Sequence, residues 1–291
     1  MQSFSARSWL FAPGDSERKM EKATASAADI VILDLEDAVS EAEKPKARDM
    51  VVAFLKANTQ NRHRLWVRVN PIQGPHLLPD LVAIMPAKPA GIMFPKPRSR
   101  ADAEVFDHYL TAFEAAAGAE LGSTKVLLLV TEEPSSMLEI GSYAGVPRTV
   151  AMSWGAEDLA TALGASDNKG DFSGYDFTYE LARSLCLVGA AAAGVAAIET
   201  IHGDFKDEPG LRKRAANARR QGYRGMMAIH PAQIEPINEA FTPTAAEIAA
   251  AQEIVDVFAA NPGLGAIGHK GQMLDRPHLV RAQAVLALVR K

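Results

Sequence analysis

The chain has 291 residues, of which 35 are acidic and 31 basic, so its formal net charge is -4. Hydrophobic residues make up 48% of it and charged residues 23%, which is typical of a folded globular protein and excludes a disordered chain. Because there is no excess of Lys and Arg to neutralise phosphates, we expect no binding to nucleic acid.

The longest apolar run, residues 185–198, is shorter than the about 20 residues that a helix needs to cross a bilayer. Its Ala and Gly content instead indicates a helix end, a turn and a strand, so we expect no membrane contact. The single cysteine, Cys186, excludes an internal disulfide and favours a reducing compartment. These features together predict a cytoplasmic protein.

Eight short apolar runs recur along the chain, and most are followed by a longer amphipathic segment. Short apolar runs with β-branched members are typical of strands that are buried on both faces. The predicted strands are residues 8–12, 30–33, 65–69, 90–94, 126–130, 149–152, 195–198 and 225–229. The predicted helices are residues 15–27, with Asp15 as the cap, and 44–57, 101–117, 157–163, 207–221 and 231–241.

This alternation of strands and helices predicts a parallel sheet, and eight units of roughly 30 residues fit a closed (β/α)8 TIM barrel. We place a catalytic barrel at residues 1–241 and a C-terminal helical extension at residues 242–291, where Thr242-Pro-Thr-Ala-Ala-Glu247 is typical of a helix start. An open doubly wound sheet is the main alternative. It would need a glycine-rich phosphate turn after the first strand, and Ala12-Pro-Gly-Asp15 is not one.

Charged residues follow several of the predicted strands, at the end where a barrel of this kind carries its active site. Either they are solvated loop charges, or they meet at one mouth, where crowded carboxylates would need a cation. All-oxygen ligation without a Cys pair or an HxxxH motif favours a hard ion such as Mg2+. Arg68 and Lys96 would then bind an anionic substrate or an oxyanion. The carboxylates concerned are Asp34, Glu36, Asp37, Glu132 and Asp158.

Several segments, in this order and spacing, resemble the HpcH/HpaI aldolase/citrate lyase family. Within it they are most similar to the CitE-like branch, which includes the citrate lyase beta subunit and the malyl-CoA and citramalyl-CoA lyases. The resemblance runs over nearly the whole chain. The segments are residues 7–14, 28–39, 68–70, 95–96, 131–133, 154–159, 222–233 and 271–277.

The resemblance implies a role for each carboxylate at the mouth. Glu132 and Asp158 match the two direct Mg2+ ligands of the family, and Glu36 and Asp37 match acidic residues that hold metal-bound waters. The family commonly has Glu-Thr at the fifth strand, whereas Glu132 is followed here by Glu133. The alignment of Thr131 favours Glu132 as the ligand.

The resemblance also implies two catalytic residues and an assembly. Arg68 matches an arginine that contacts a substrate oxygen. Asp275 matches an acidic residue on the C-terminal tail that enters the site of a neighbouring subunit and carries a proton. The family forms trimers or hexamers, so a homotrimer or hexamer with shared sites is implied.

Four basic residues are candidates for binding the CoA thioester, namely Lys96, Arg18, Lys22 and His230. Arg18 and Lys22 lie four residues apart on one helix face, where a surface position and a contact with a CoA phosphate are equally consistent with the sequence. His230, before Pro231, is expected either at the site or as a helix cap. The basic cluster at residues 212–214 is expected on a solvated helix face.

We therefore predict a Mg2+-dependent carbon–carbon lyase that cleaves a 3-hydroxyacyl-CoA to acetyl-CoA and a 2-oxo acid. Citramalyl-CoA, which gives pyruvate, is the first substrate candidate, and malyl-CoA is the second. The alternatives are the citryl lyase beta subunit of a citrate lyase complex, an HpaI-type aldolase acting on free hydroxy-oxo acids, and a binding module without catalysis.

Overall fold

The computed structural model describes residues 4–169 and 174–289. The chain divides into two compact units, the first ending at Asn238 and the second beginning at Glu239. The division predicted from the sequence lies three residues further on, between residues 241 and 242. No helix in the described part of the chain is long and apolar enough to span a membrane.

The first unit contains a closed barrel of eight parallel strands, in which the first strand pairs with both the second and the eighth. The predicted (β/α)8 fold is therefore confirmed, and each observed strand overlaps its predicted run with ends that differ by one residue at most. The strands are β1 Ser8–Pro13, β2 Ile30–Asp34, β3 Leu65–Arg68, β4 Gly91–Phe94, β5 Lys125–Leu129, β6 Thr149–Ser153, β7 Ala196–Glu199 and β8 Gly225–Ala228.

Helices follow the strands, and the bounds of α2 agree with the predicted range. Three helices were not predicted, namely Leu77–Ile84, Pro134–Leu138 and Phe177–Ala193, although the end of the last one and the turn that follows it were. The helices that begin in this unit are α1 Glu17–Thr24, α2 Lys44–Ala57, α3 Leu77–Ile84, α4 Arg100–Ala116, α5 Pro134–Leu138, α6 Ala156–Leu163, α7 Phe177–Ala193, α8 Glu208–Gln221 and α9 Ile234–Ala240. Short 3-10 helices span Glu41–Glu43, Thr59–Arg64, Met85–Ala87, Ile140–Tyr143 and Pro231–Gln233.

The start of α1 differs from its prediction. Ser16, not Asp15, occupies the position before the first helical residue, and its side chain makes no capping hydrogen bond. The prediction that Asp15 is the cap is therefore wrong. The helix depends instead on packing, since Met20, Ala23 and Thr24 are buried against the barrel wall.

Large side chains fill the inside of the barrel, so it is a packed core below the mouth. Trp9 and Trp66 meet edge to face, with ring centroids 5.0 Å apart, among Ile32, Met93, Leu127, Ile198 and Met227. Gly91 leaves room for them: a Cβ at that position would lie 2.6 Å from the Trp66 ring. Because side chains alternate along a strand, the residues two positions beyond this layer also face inward, at the carboxyl end.

The second unit consists of two helices and a β-hairpin, which are α10 Ala245–Ala260, β9 Ala266–His269, β10 Gln272–Asp275 and α11 Arg276–Val289. Thr244 and Glu247 form a reciprocal capping box at the start of α10, in line with the predicted helix start. The antiparallel hairpin was not predicted. Within these four elements few side chains are buried, namely Ala251, Ile267, Leu274 and Ala282.

Candidate active site

Asp34 and Arg68 face each other at the carboxyl end of neighbouring strands. They are partners in the register of β2 and β3, and each lies two residues beyond a core residue, Ile32 or Trp66. Arg68 donates from Nε to Asp34 Oδ1 at 2.8 Å and from Nη2 to Oδ2 at 2.6 Å. Burial alone would raise the pKa of Asp34, but the charge and hydrogen bonds of Arg68 lower it. Asp34 is therefore an ionised anchor for the arginine.

Lys96, which follows β4, joins two carboxylates of the loop after β2 and one from the first turn of α6. Its Nζ lies 2.6 Å from Glu36 Oε1, 3.2 Å from Asp37 Oδ2 and 3.0 Å from Asp158 Oδ1. The Lys96 backbone is left-handed, with φ 50°, which is a strained conformation of the kind that clusters at functional sites. Lys96 was predicted to bind an anionic substrate, but in the structure its ammonium group forms ion pairs with three carboxylates of the protein.

Glu36 lies between the two cations, with Oε2 at 2.9 Å from Arg68 Nη1. Burial, aided by the neighbouring charge of Asp37, raises the pKa of Glu36 to about 7 although Arg68 and Lys96 oppose the shift. Its ionised form is therefore only marginally stable in this arrangement.

Glu132 is a third buried carboxylate at the mouth, with 4% of the residue exposed. Its Oε2 accepts a hydrogen bond of 3.0 Å from the backbone N–H of Lys96. Gly155 leaves the space that the carboxylate occupies, because a Cβ there would come within 3.1 Å of Glu132 Cγ and Oε1. Burial, followed by the charges of Glu36 and Asp158, raises the pKa of Glu132 well above its usual range. A further cation near Glu132 would therefore stabilise its ionised form.

A cavity of about 320 Å³ opens at this end of the barrel. Asp34, Arg68, Glu132 and Asp158 lie in its wall, whereas Glu36, Asp37 and Lys96 contact those residues from outside the lining. The rest of the wall is largely apolar. Its apolar residues include Phe11, Leu129, Trp154, Ile201, Met227 and Ile229. The cavity thus combines charged and apolar walls, as sites for small organic anions commonly do.

We call the seven charged residues of this region the mouth cluster. Four of its carboxylates, Asp34, Glu36, Asp37 and Asp158, pair with the side chains of Arg68 and Lys96. The fifth, Glu132, accepts only from the Lys96 backbone N–H in the described contacts. Over residues 4–169 and 174–289, no three His, Cys, Asp or Glu side chains are arranged to hold a metal ion by themselves. Mg2+ usually needs only one or two protein carboxylates and keeps its other positions for water and substrate. The surplus of carboxylates and the raised pKa of Glu132 fit such an ion.

The HpcH/HpaI aldolase/citrate lyase family model matches residues 7–231. The chain belongs to this family. A (3S)-malyl-CoA thioesterase of Cereibacter sphaeroides is 34% identical over 288 residues, which cover 98% of this chain and 95% of the relative. The citrate lyase subunit beta of Haemophilus influenzae is 33% identical over 283 residues, covering 96% and 95% respectively.

Among solved structures, the CitE protein of Mycobacterium tuberculosis in complex with magnesium, acetoacetate and coenzyme A superposes with a TM-score of 0.83. The match covers 99% of both chains at 32% identity. The resemblance stated from the sequence is thereby confirmed, together with the barrel. Glu133 precedes α5 and lies 3.7 Å from Arg98, away from the mouth cluster.

The other predicted site residues of this family member lie outside the mouth cluster. Arg18 and Lys22 are exposed on α1 and do not line the cavity. His230 caps the short helix that follows β8, since its Nδ1 accepts a hydrogen bond from the Ala232 N–H. A helix cap was one of the two roles predicted for it. In the second unit, Asp275 ends β10 and is paired with His278.

One wall of the cavity contains contacts that the sequence analysis missed. Glu199, buried at the end of β7, accepts hydrogen bonds from Trp154 Nε1 at 2.7 Å and from Arg183 Nε at 2.6 Å. Arg214 lies over Tyr175, 4.7 Å from the ring centroid, so its prediction as a solvated residue is wrong. Helical periodicity could have indicated this contact, because Arg214 lies on the same face of α8 as the buried Leu211, Ala215 and Ala218.

Proposed function

We propose that the chain is a Mg2+-dependent carbon–carbon lyase that cleaves a 3-hydroxyacyl-CoA to acetyl-CoA and a 2-oxo acid. The observation that carries the proposal is the mouth cluster, where surplus carboxylates and Arg68 line a cavity beside an apolar wall. The family and the magnesium- and CoA-bound structure of the M. tuberculosis relative support it.

Glu132 and Asp158 are the residues that would hold the metal, because both line the cavity and neither is anchored by Arg68 at ion-pair distance among the described residues. A bound Mg2+ would supply Lewis acidity to the hydroxy-acid end of the substrate. Glu36, Asp37 and Lys96 would support the site from outside the lining. The pKa of Lys96 is raised because Glu36, Asp158 and Glu132 outweigh its burial, so it stays a cation.

Arg68 would stabilise negative charge that develops on a substrate oxygen. Asp34 holds one edge of the guanidinium, and Glu36 lies beside Nη1, so the orientation of Arg68 is fixed before substrate binds. In the cleavage the hydroxyl proton is lost, the electron pair of the carbon–carbon bond passes to the thioester, and the resulting enolate gains a proton. The proton count is unchanged overall.

The cavity wall favours an acyl group with one carboxylate. Arg68 is the sole cationic side chain among the described residues of the lining, and it is already shared with Asp34. A second carboxylate, as in citryl thioesters, would leave a charge without a partner, whereas a methyl group suits Phe11, Leu129 and Met227. Citramalyl-CoA and malyl-CoA are therefore preferred to citryl thioesters.

Thioester hydrolysis is the second candidate, because the Cereibacter relative has the name of a malyl-CoA thioesterase. Mass spectrometry of products from a panel of 3-hydroxyacyl-CoA thioesters separates the candidates. Acetyl-CoA with a 2-oxo acid supports the lyase, and free CoA with an intact hydroxy acid supports hydrolysis. Turnover of free 4-hydroxy-2-oxo acids alone would indicate the aldolase. Activity that survives EDTA treatment would overturn the metal requirement.

Asp275 is proposed to complete the mouth of a neighbouring subunit, where it would protonate the enolate. The second unit supports this proposal because Met273, beside Leu274 in β10, is 66% exposed and needs a surface to pack against. Asp275→Asn should assemble and lose most turnover, a loss of roughly 10²–10⁴-fold for a proton carrier. Mixing it with Asp158→Ala should restore part of the activity; no recovery after verified subunit exchange would overturn the shared site.

A further inference from the structure

The acid loop, which we define as residues 34–38, contains Glu36 and Asp37 of the mouth cluster. Two of its backbone carbonyl groups accept hydrogen bonds from the side chain of Lys44. Lys44 is the first residue of α2, yet only 8% of it is exposed. Its Nζ donates to the carbonyl oxygen of Leu35 at 3.1 Å and to that of Glu36 at 3.0 Å.

A third hydrogen bond fixes the position of the ammonium group. Lys44 Nζ donates to Asn70 Oδ1 at 2.7 Å, and Asn70 Nδ2 donates to the Leu35 carbonyl at 2.9 Å and to Asp80 Oδ2 at 2.7 Å. Asp80 is fully buried and also accepts from Arg48 Nε at 2.7 Å. All three N–H donors of the Lys44 ammonium group therefore have an acceptor, and Asn70 is itself held in place by its hydrogen bonds to Leu35 and Asp80.

The N–H groups of the same loop are held from the other side. Asp34 accepts from the backbone N of Glu36 at 2.9 Å and from that of Ala38 at 3.2 Å. The loop thus has its amides bound to Asp34 and two consecutive carbonyls bound to Lys44. From this fixed backbone the side chains of Glu36 and Asp37 both reach Lys96, at 2.6 and 3.2 Å.

Burying a lysine is costly, and a merely structural position could hold an apolar chain of similar length. No carboxylate forms an ion pair with Lys44 among the residues that the structure describes, so this cation is not there to neutralise a buried acid. In the described structure, the hydrogen bonds of its ammonium group are with the acid loop and with Asn70.

We propose that Lys44 is a positioning residue for the metal site: by fixing the Leu35 and Glu36 carbonyls, it aims Glu36 and Asp37 at the mouth. The inference rests on the proposed function, in which these two carboxylates support the bound ion. Groups that orient the surroundings of a metal are worth about 10–100-fold in metal affinity.

The experiment compares Lys44→Met with Lys46→Met, two residues further along α2. Lys46 is exposed and pairs only with Glu43 in the described contacts, which makes it a matched control. Binding of Mn2+ to the metal-free protein is measured by electron paramagnetic resonance, together with the melting temperature, kcat and KM. We expect Lys44→Met to bind Mn2+ about 10–100-fold more weakly and to lose kcat more than it raises KM, while Lys46→Met stays like wild type.

Wild-type Mn2+ affinity in folded Lys44→Met would overturn the inference, whatever the loss of melting temperature. If that variant does not fold, Lys44→Gln, whose amide can still donate to one carbonyl, is judged by the same criterion. Absence of Mn2+ binding in the wild-type protein would instead overturn the proposed function. The two failures are therefore distinguishable.

Discussion

Two buried charge clusters lie at opposite ends of the barrel, and they differ in how their carboxylates are satisfied. The Arg148 cluster, formed by Arg148, Asp107, Thr111 and Glu114, lies at the amino end, because Arg148 directly precedes β6. Glu114 accepts from Arg148 Nη1 at 2.7 and 2.8 Å. It also accepts from the backbone N–H groups that precede β5, those of Gly122 at 2.7 Å and Thr124 at 2.8 Å.

The pKa values of the glutamates in the two clusters are shifted in opposite directions. Burial would raise the pKa of Glu114, but hydrogen bonds from Thr124, Gly122 and Arg148 lower it below its usual value. At the mouth, burial and neighbouring carboxylates raise the pKa of Glu36 and Glu132. Burial of a charge therefore does not by itself mark a functional site. The mouth differs in having fewer hydrogen-bond donors for its carboxylates, which could therefore be stabilised by a bound cation.

The largest expected effect is that of Glu132→Gln. The amide keeps the shape but removes the carboxylate that we propose as a metal ligand, so we expect metal affinity and turnover to fall by about 100-fold or more, beyond the effect of groups that only orient a ligand. The metal-free variant should not melt earlier than wild type, because the lost charge was one that burial disfavours. Calorimetric Mg2+ titration, a rate assay and thermal denaturation without metal measure the three quantities.

Glu133→Gln is the matched control, since Glu133 is adjacent in sequence and pairs with Arg98 outside the mouth cluster. It should retain metal binding and activity. If Glu133→Gln abolishes Mg2+ binding while Glu132→Gln keeps it, the assignment of the ligand to Glu132 is wrong.

Glu114→Gln should give the opposite pattern, with stability lost and activity kept. Removing one partner of a buried ion pair leaves Arg148 undercompensated, which costs about 3 kcal/mol or more. For a unit of this size that corresponds to a melting temperature lower by roughly 6–12 °C. Below the transition, kcat and Mg2+ affinity should equal those of wild type. A loss of Mg2+ affinity in the folded variant would show that the two clusters are coupled.

Gly155→Ala tests how closely the mouth is fitted around Glu132. The new Cβ would lie 3.1 Å from Glu132 Cγ and Oε1, so the carboxylate must shift by a few tenths of an ångström. We expect metal affinity to weaken about tenfold, the lower end of the range for orienting groups, with little change in stability. Gly203→Ala is the control, because a Cβ there meets no atom within 4 Å. Equal Mg2+ affinity in both variants would contradict a fitted site.

The sequence predicted the barrel well because its signals are local. Each buried strand is a short apolar run, and the pairing of β2 with β3 then places Asp34 opposite Arg68. The alternation of side chains, rather than any motif, brings that pair to the mouth. The surplus of carboxylates at the strand ends could likewise be predicted, since it depends only on which residues follow which strand.

What could not be predicted depends on contacts between distant segments. Lys44 begins a helix and looks like a surface residue, and only the folded chain brings it beneath Leu35 and Asn70. Arg214 belongs to a basic run, yet it packs on Tyr175 across more than 35 residues of sequence. The β9–β10 hairpin was missed because its strands are only four residues long and Gly268 weakens the strand pattern of β9.

The smallest expected effect is a pH dependence that belongs to the Arg148 cluster. Because folding lowers the pKa of Glu114, its stabilising contribution is present above the ordinary glutamate value near 4.3 and is lost as the pH falls below it. The difference in free energy of unfolding between wild type and Glu114→Gln should therefore be constant from about pH 8 to 6 and should narrow below about pH 4.5. Urea denaturation of both proteins across this range measures this difference, and the contributions of other titrating groups cancel in it.

Glu104→Gln, on the more exposed part of α4, is the control and should show only a small difference from wild type at every pH. A gap between wild type and Glu114→Gln that does not change down to pH 3 would mean that Glu114 stabilises the fold by its shape, and the contrast between the two clusters would lose its electrostatic basis.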